Sequence, residues 1–333
     1  MKIYALLTSL PYMSKNKIGG DIKNELDVYK ILSQFADVYY NNQLLDFNDT
    51  KYYGTNPDAI LEKPNEGYDY YYIRNNPKIL KHIKGKILYY TIPYNPECMK
   101  KSYAVVFQTK SWLDAVERKD YEYLQGIYPN DSYFPDKKIL FSQYTKPENN
   151  KNHSRTLKFR KKFDADFIIG HFGRLRKFNY PHKFMSIFDD LVKNNPNIKI
   201  KLVVAGNIDI PIEHPNCEIY DKFLIEDMKY VTSACDIVIN EYREKALNFG
   251  GSCRIKDCLS SGVPMLLPRA DERENEFGKD YELFYSEPVE LLNKIQMLIS
   301  NKNKMKEISE KIFKQAEIIS YEKTIINYKK QLL

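Results

Sequence analysis

A run of residues in the second half of the chain combines glycines, charged side chains and an apolar end. Gly250 and Gly251 precede Ser252, and the run continues as SCRIKDCLSSGVPMLLP up to Pro268. Glycine adopts positive φ at little cost, so it allows a tight turn, and serine is a good helix N-cap. The N-terminus of such a helix presents unpaired N–H groups to an anion. An ordinary helix–strand corner has the same local pattern and remains the alternative.

Carboxylates and a cation lie close to this glycine turn. Arg254 and Asp257 lie on the predicted helix, while Glu241 and Glu244 lie upstream of it. Carboxylates accept hydrogen bonds from the hydroxyls of a sugar or a ribose. The group therefore predicts contacts with a carbohydrate or nucleoside, and a solvated position on the helix is the alternative for Asp257.

A second candidate site follows the strand predicted at Phe167–Ile169. Arg174, Arg176 and Lys177 come shortly after this strand, and Lys183 begins the next predicted helix. Arginine binds phosphate oxygens through two parallel hydrogen bonds and lysine acts as a point charge, so the cluster predicts a diphosphate site. A solvated basic loop is the alternative.

Smaller signals lie at other strand ends. A glycine pair follows the first predicted strand and would let a ligand approach the backbone. Turns after two later strands can present backbone groups to a nucleobase. These residues are Gly19, Gly20, Asn207, Lys222 and Phe223.

An apparent metal motif is discounted. Asp164 and Asp166 match the DxD pattern of metal–nucleotide sites, but they precede a predicted strand. Ligands of parallel sheets bind at the carboxyl ends of the strands, so this pair lies at the opposite end. No metal site is predicted.

Composition narrows the classes of function. The chain has 333 residues, 43% hydrophobic and 29% charged, which is typical of a soluble protein of two domains. No apolar run approaches the roughly 20 residues of a membrane span, and no signal-peptide cleavage pattern is present. The five cysteines show no metal spacing, which indicates reduced thiols in a cytoplasm. The net charge of +7 favours an anionic partner such as a phosphorylated small molecule or an acidic membrane face, whereas no nucleic-acid partner is expected.

Short apolar strands alternate with amphipathic helices along the chain, which predicts parallel sheets covered by helices on both faces. The predicted strands include Ile3–Leu7, Val38–Tyr40, Tyr70–Ile73, Ile87–Tyr90, Val105–Gln108, Phe167–Ile169, Ile200–Val204, Ile237–Asn240, Met265–Leu267 and Leu283–Tyr285. The predicted helices include Asp21–Gln34, Lys183–Lys193, Glu226–Ala234 and Pro288–Ile299. A polar, aperiodic stretch near the middle of the chain predicts a linker between two α/β domains.

Together these motifs resemble the GT-B glycosyltransferases, and among them the retaining family 4 type. FIIGHFGRLRK is similar to that family's strand followed by Gly-Arg and a lysine, and KLVVAGN to its next strand and turn. YDKFLIEDMKYVTSACDIVIN is similar to its nucleobase-side segment, and RIKDCLSSGVPML to its carboxylate, small-residue helix and Gly-x-Pro. ISYEKTIINYKKQLL resembles its closing helix. The resemblance covers residues 165–333.

The resemblance implies an α/β fold of two Rossmann-like, doubly wound parallel-sheet domains facing a cleft. It implies an acceptor-side domain at 1–147, a linker at 148–163, a nucleotide-sugar donor domain at 164–318 and a helix at 319–333 that crosses back to the first domain.

The resemblance also implies roles for site residues. Arg174 and either Lys177 or Lys183 would hold the donor diphosphate, and Asp257 would hold the ribose. Glu244 matches a family glutamate by its distance from the preceding strand, and the glycine turn would cradle the diphosphate or the sugar.

The implied reaction moves a sugar from a UDP- or GDP-sugar to a glycan or lipid-linked acceptor, with retention, in polysaccharide synthesis. Arg174 and Lys177 would stabilise the leaving diphosphate, so neither a metal nor a cofactor is expected. The expected location is the cytoplasm, with peripheral contact at the inner membrane face as an option. A sugar-nucleotide epimerase of the same architecture and a catalytically silent subunit that binds a partner enzyme remain alternatives.

Overall fold

The computed structural model describes twelve segments of the chain, which form two compact units. The segments are residues 1–6, 20–40, 42–45, 64–74, 77–91, 94–120, 122–124, 128–173, 182–205, 212–220, 227–240 and 253–333. The first unit comprises the described residues of Met1–Tyr144 and Tyr321–Leu333. The second unit comprises those of Thr145–Leu247 and Ser252–Ser320.

The described part of the first unit contains a seven-stranded sheet. In chain order its strands are β1 (Lys2–Leu6), β2 (Asp37–Tyr40), β3 (Gln43–Leu44), β4 (Tyr70–Arg74), β5 (Lys86–Tyr90), β6 (Ala104–Phe107) and β7 (Lys138–Leu140). The spatial order is β3-β2-β1-β4-β5-β6-β7, and every pairing is parallel except that of β2 with β3. The strand order reverses between β1 and β4, which is the topological switch point where ligands of open α/β sheets bind.

Both faces of this sheet are buried. Tyr72 and Val106 belong to the apolar cluster on one face, and Tyr71 and Val105 belong to the cluster on the other. Successive side chains of a strand point to opposite faces, so a strand buried on both faces reads as an unbroken apolar run. This explains why most of these strands were recognisable in the sequence.

Helices cover the sheet of the first unit. They are α1 (Gly20–Leu32), a 3-10 helix (Pro77–His82), α2 (Pro96–Lys101) and α3 (Lys110–Arg118). Asn95 caps α2, because its side chain accepts a hydrogen bond from the Cys98 amide at 3.0 Å and Pro96 occupies the first helical position.

The described part of the second unit contains a six-stranded, wholly parallel sheet. Its strands are β8 (Phe167–Phe172), β9 (Ile200–Ala205), β10 (Cys217–Tyr220), β11 (Ile237–Ile239), β12 (Met265–Pro268) and β13 (Phe284–Tyr285). The spatial order is β10-β9-β8-β11-β12-β13, so the switch point lies between β8 and β11. The predicted α/β fold with two doubly wound parallel sheets is confirmed.

The helices of the second unit precede, separate and follow these strands. They are α4 (Ser154–Phe163), α5 (His182–Asn194), α6 (Met228–Ala234), α7 (Cys253–Ser261), α8 (Asp271–Phe277), α9 (Pro288–Ser300) and α10 (Lys302–Ile318). Gly262 ends α7 with φ +64°, and its amide donates to the Leu259 carbonyl at 3.3 Å. A glycine in this left-handed conformation is a common end of a helix.

The last helix, α11 (Tyr321–Leu332), packs on the first unit. Tyr328 stacks on Phe141, with ring centroids 4.2 Å apart, and its hydroxyl donates to the Ser142 carbonyl at 2.7 Å. Gln331 pairs with the backbone of Leu140 in both directions, accepting at 2.7 Å and donating at 3.0 Å. Its side chain thus acts like one residue of an additional strand beside β7, which satisfies an otherwise open sheet edge.

The segment predicted as a linker, 148–163, differs from that prediction in its second half. Helix α4 spans Ser154–Phe163, lies in the second unit and packs on α6. Thr156 and Phe163 are buried and Phe159 is part-buried, which is one side of a helix. Arginines and lysines between these positions hid the periodicity in the sequence.

Candidate functional site

The switch point of the second unit places a glycine at the exit of β8. Gly173 directly follows Phe172, has φ +120°, and donates its amide to the Ala205 carbonyl at 2.7 Å. A side chain at this φ would be strained, so the conformation itself requires glycine. The exit of β8 is therefore held in one geometry beside the end of β9.

Arg254, in the first turn of α7, lies against this glycine. Its guanidinium donates a hydrogen bond to the Phe172 carbonyl. A Cβ atom on Gly173 would lie 2.5 Å from the Arg254 Cζ and 2.7 Å from its Nε. The absence of a side chain at Gly173 thus makes room for the arginine, which ties α7 to the exit of β8.

Asp257 lies one turn after Arg254, on the same part-buried side of α7. Both charges act on Cys258, a fully buried neighbour. Burial raises the pKa of the Cys258 thiol well above its ordinary value, the Asp257 carboxylate raises it further, and the Arg254 guanidinium lowers it. The start of α7 therefore carries an anion and a cation side by side at the switch point.

The opposite side of α7 is anchored through buried charges. The Lys256 Nζ lies 3.0 Å from the Glu276 carboxylate on α8, and the Arg273 guanidinium lies 2.5 Å from the same carboxylate. No more than 9% of any of the three side chains is exposed. Burial opposes ionisation of Glu276, but the two cations outweigh it and hold the pKa of that carboxyl below its usual value.

The structure brings together two of the residues proposed from the sequence, Arg254 and Asp257. Gly20 is the first residue of α1, and Lys183 is the second residue of α5, with its side chain outside the described part. The remaining proposed residues lie outside the described residues altogether. They are Gly19, Arg174, Arg176, Lys177, Asn207, Lys222, Phe223, Glu241, Glu244, Gly250, Gly251 and Ser252.

The DxD pair lies at the amino end of β8. Asp164 is ion-paired with Lys199, and the Asp166 carboxylate accepts a hydrogen bond from the Lys199 amide at 2.8 Å. Both carboxylates therefore brace the entrance of β9 and lie at the end of the sheet away from Gly173. Within the described residues, no group of three or more His, Cys, Asp or Glu side chains could hold a metal ion.

The first unit contains a polar cluster that the sequence interpretation missed. Arg74, Tyr90, Gln108 and Gln143, here called the polar row, lie at or just beyond the ends of β4, β5, β6 and β7. Every second side chain of a strand points to the same face of the sheet, and on this face the earlier side chains of β4, β5, β6 and β7 pack against α1 and α11. Each residue of the polar row is the next member of such a series. The sequence pattern that could have revealed this cluster is an alternating apolar series, such as Tyr70 and Tyr72, that ends in a polar residue.

Comparison with known proteins gives one family match. A family model described as glycosyl transferase-like matches residues 185–324, from α5 to the start of α11. In the comparison with curated proteins, no sequence matches the chain.

Several solved structures share the fold. A TarM mutant from S. aureus, in complex with fondaparinux, alpha-GlcNAc-glycerol and UDP, is 12% identical with a TM-score of 0.58. The match covers 79% of this chain but 55% of the TarM chain, so this chain spans about half the length of that protein. A trehalose-phosphate synthase from Burkholderia xenovorans, in complex with glucose-6-phosphate, is 11% identical with a TM-score of 0.58, covering 80% and 73% of the two chains.

A further structure matches over its whole length. The DNA-modifying enzyme beta-glucosyltransferase, solved with and without uridine diphosphoglucose, is 15% identical with a TM-score of 0.56. The match covers 100% of this chain and 99% of that one. The chain has the GT-B fold, and the family match together with these structures supports a glycosyltransferase.

Proposed function

We propose that this protein transfers a sugar from a nucleotide-sugar donor to an acceptor hydroxyl, in the synthesis of a cell-surface or other complex glycan. The observation that carries this proposal is the arrangement of Arg254 and Asp257 at the exit of β8, within the glycosyl transferase-like region. Ligands of doubly wound sheets bind at that exit, and the paired charges suit a nucleoside diphosphate with hydroxyls.

In the proposed reaction, the second unit holds the donor. Asp257 accepts hydrogen bonds from the ribose hydroxyls, and the first turn of α7 faces the diphosphate. Arg174 and Lys177, which follow β8, stabilise the negative charge that develops on the leaving diphosphate. Fixed donors of this kind can each contribute a few kcal/mol in the transition state, so the reaction needs no metal ion. We propose that the sugar is transferred with retention.

UDP-sugars are the first donors to test. The TarM structure contains UDP, and the beta-glucosyltransferase was solved with uridine diphosphoglucose. A thermal-shift panel of UDP-, GDP-, ADP- and CDP-sugars identifies the preferred base, since a ligand at 100 times its Kd stabilises a protein by about 2.7 kcal/mol.

The decisive variant is Asp257→Asn, which keeps the shape of the side chain and removes its charge. If Asp257 holds the ribose, the loss of about 1–3 kcal/mol weakens binding of the preferred donor roughly 5- to 150-fold, with little change in melting temperature. Asp271→Asn on α8, at an exposed position of the same unit, is the matched control. Calorimetric titration and thermal unfolding are measured on the same samples.

Two other outcomes would contradict the ribose role. A fall in stability with a proportionate fall in activity would mean that Asp257 braces the corner through Arg254, three residues earlier on the helix. No change in either quantity would make Asp257 a solvated helix residue.

The two alternative functions, epimerase and catalytically silent subunit, are distinguished by the reaction products that form. Release of an epimerised nucleotide-sugar without an acceptor would indicate an epimerase. Donor binding without hydrolysis or transfer to any acceptor would indicate a catalytically silent subunit.

A further inference from the structure

The geometry points to a binding subsite for an uncharged, hydroxyl-bearing molecule at the polar row of the first unit. We infer that Gln108 and Gln143 contact ligand hydroxyls there. The inference rests on the proposed function, because it gives the acceptor a chemical class: a neutral carbohydrate or polyol rather than a phosphorylated one.

Helix α1 faces the polar row with two polar side chains. The Arg74 guanidinium lies 3.3 Å from the Glu25 carboxylate, and Gln143 donates a hydrogen bond to the Asn24 side chain. Asn24 and Glu25 are buried, and Glu25 is fully so. The row therefore lies between the start of α1 and the ends of the strands, on the side of the sheet where α/β proteins bind ligands.

One atom of each of two side-chain amides in the row has no hydrogen-bond partner in the described structure. Gln108 accepts a hydrogen bond from the Tyr90 hydroxyl at 3.1 Å, but its Nε2 has no acceptor. Gln143 uses its Nε2 on Asn24, but its Oε1 has no donor. Gln108 is 7% exposed and Gln143 is 5% exposed, so neither side chain is simply solvated.

A buried polar group without a partner is costly, which is why such groups are nearly always hydrogen-bonded to protein, water or ligand. The row offers one donor at Gln108 and one acceptor at Gln143, which follow the adjacent strands β6 and β7: the Phe141 amide donates to the Phe107 carbonyl at 2.8 Å. A hydroxyl group both donates and accepts, so a molecule with neighbouring hydroxyls can satisfy both amides.

The charges of this site favour a neutral ligand. Within the polar row and the two α1 residues that face it, the charged groups are Arg74 and Glu25, which compensate each other. Arg74 also stacks over the Tyr90 ring at 4.9 Å, which fixes its guanidinium in place. A phosphate group would have to compete with the Glu25 carboxylate for this arginine, whereas a hydroxyl would not.

The test compares matched neutral and charged probes. Glucose, methyl α-glucoside, N-acetylglucosamine and maltose are titrated against glucose 6-phosphate in the presence of UDP, with binding followed by saturation-transfer NMR. We expect at least one neutral saccharide to bind, and the phosphorylated sugar to bind no better than glucose. A tenfold preference for glucose 6-phosphate, or no binding of any neutral probe, would overturn the inference.

Variants then locate the binding. Gln108→Met keeps the length of the side chain and removes its hydrogen bonds, and Gln108→Glu keeps the acceptor for Tyr90 while removing the Nε2 donor. Each should weaken the neutral probe about 2- to 13-fold, the range for one neutral hydrogen bond, and Gln143→Met should do the same. Gln34→Met, at an exposed position after α1, should leave binding unchanged.

UDP affinity separates the two proposals. It is measured on every sample and should not differ among these variants. Saccharide affinity unchanged in both Gln108 variants would exclude the polar row while leaving the proposed transferase intact. Failure of the wild-type protein to bind any nucleotide-sugar would overturn the proposed function instead.

Discussion

Replacing Gly173 by alanine would place a methyl group where the guanidinium of Arg254 now lies. The added Cβ would be 2.5 Å from the Arg254 Cζ and 2.8 Å from its Nη1, which is closer than real contacts allow. The residue also has φ +120°, a conformation that side chains rarely adopt. The substitution therefore has two costs, one in the backbone and one in the displaced arginine.

The two costs can be separated by magnitude. Holding a non-glycine residue in such a conformation costs on the order of 1–3 kcal/mol. Displacing Arg254 breaks its bond to the Phe172 carbonyl, and a hydrogen bond to a charged group contributes about 1.5–3 kcal/mol. If the start of α7 holds the donor, moving it also weakens UDP binding, by roughly tenfold for each 1.4 kcal/mol lost.

Gly278→Ala is the matched control, since Gly278 has φ +89° in the same unit but nothing within 4 Å of an added Cβ. It carries the backbone strain alone. Gly173→Ala should melt about 3–12 °C below Gly278→Ala, taking 2–4 °C per kcal/mol for a domain of this size. The double variant Gly173→Ala, Arg254→Ala should be less destabilised than the sum of its parts, because the contact is then already absent.

Thermal unfolding and calorimetric UDP titration decide the result. Equal melting temperatures for the two glycine variants would refute the contact between Gly173 and Arg254. A large stability difference with unchanged UDP affinity would keep the contact but remove the exit of β8 from the donor site.

Two further predictions concern interactions within a single unit, one in the second unit and one in the first. Glu276→Gln leaves Lys256 and Arg273 buried without their carboxylate, so the variant should lose about 3–5 kcal/mol at neutral pH. Because the pKa of Glu276 is lowered in the folded state, the stability that its carboxylate contributes is present above the ordinary glutamate value of 4.5 and is lost as the pH falls below that value. The melting temperature of the wild-type protein should therefore fall in this acidic range, and that part of the fall should be missing in the Glu276→Gln variant. Gln331→Ala should speed hydrogen exchange at the Leu140 amide, whereas Lys330→Ala, one residue earlier on an exposed side of α11, should not.

Long elements with a clear period were predictable from the sequence. The helix predicted at Lys183–Lys193 is α5, His182–Asn194, and the helix predicted at Pro288–Ile299 is α9, Pro288–Ser300. Among the short elements β7 was missed: it has three residues of which only Ile139 is fully buried, and it forms because Phe107 and its neighbours on β6 pair with it. Its position is set by the sheet rather than by its own residues.

Among the candidate site residues, too, those marked by a local sequence pattern were predictable, and those that depend on long-range contacts were not. Arg254 and Asp257 could be proposed from the sequence because the residue types around them, two glycines and a serine before a predicted helix, mark their place locally. The pair of Glu25 and Arg74 was missed because its partners are 49 residues apart and meet only when α1 packs beside the end of β4. Lys256 is buried although it is charged, because Glu276, on the next helix, compensates its charge.

Helix α7 is held by tertiary contacts on several sides. Ile255 and Leu259 anchor one side in the apolar core, and Lys256 anchors a second side through Glu276. Arg254 fixes the first turn to the exit of β8. A nine-residue helix has little stability of its own, so these tertiary contacts hold it in place. They also hold Asp257, one turn after Arg254 on the same helix, in a fixed position, which is what the proposed ribose contact requires.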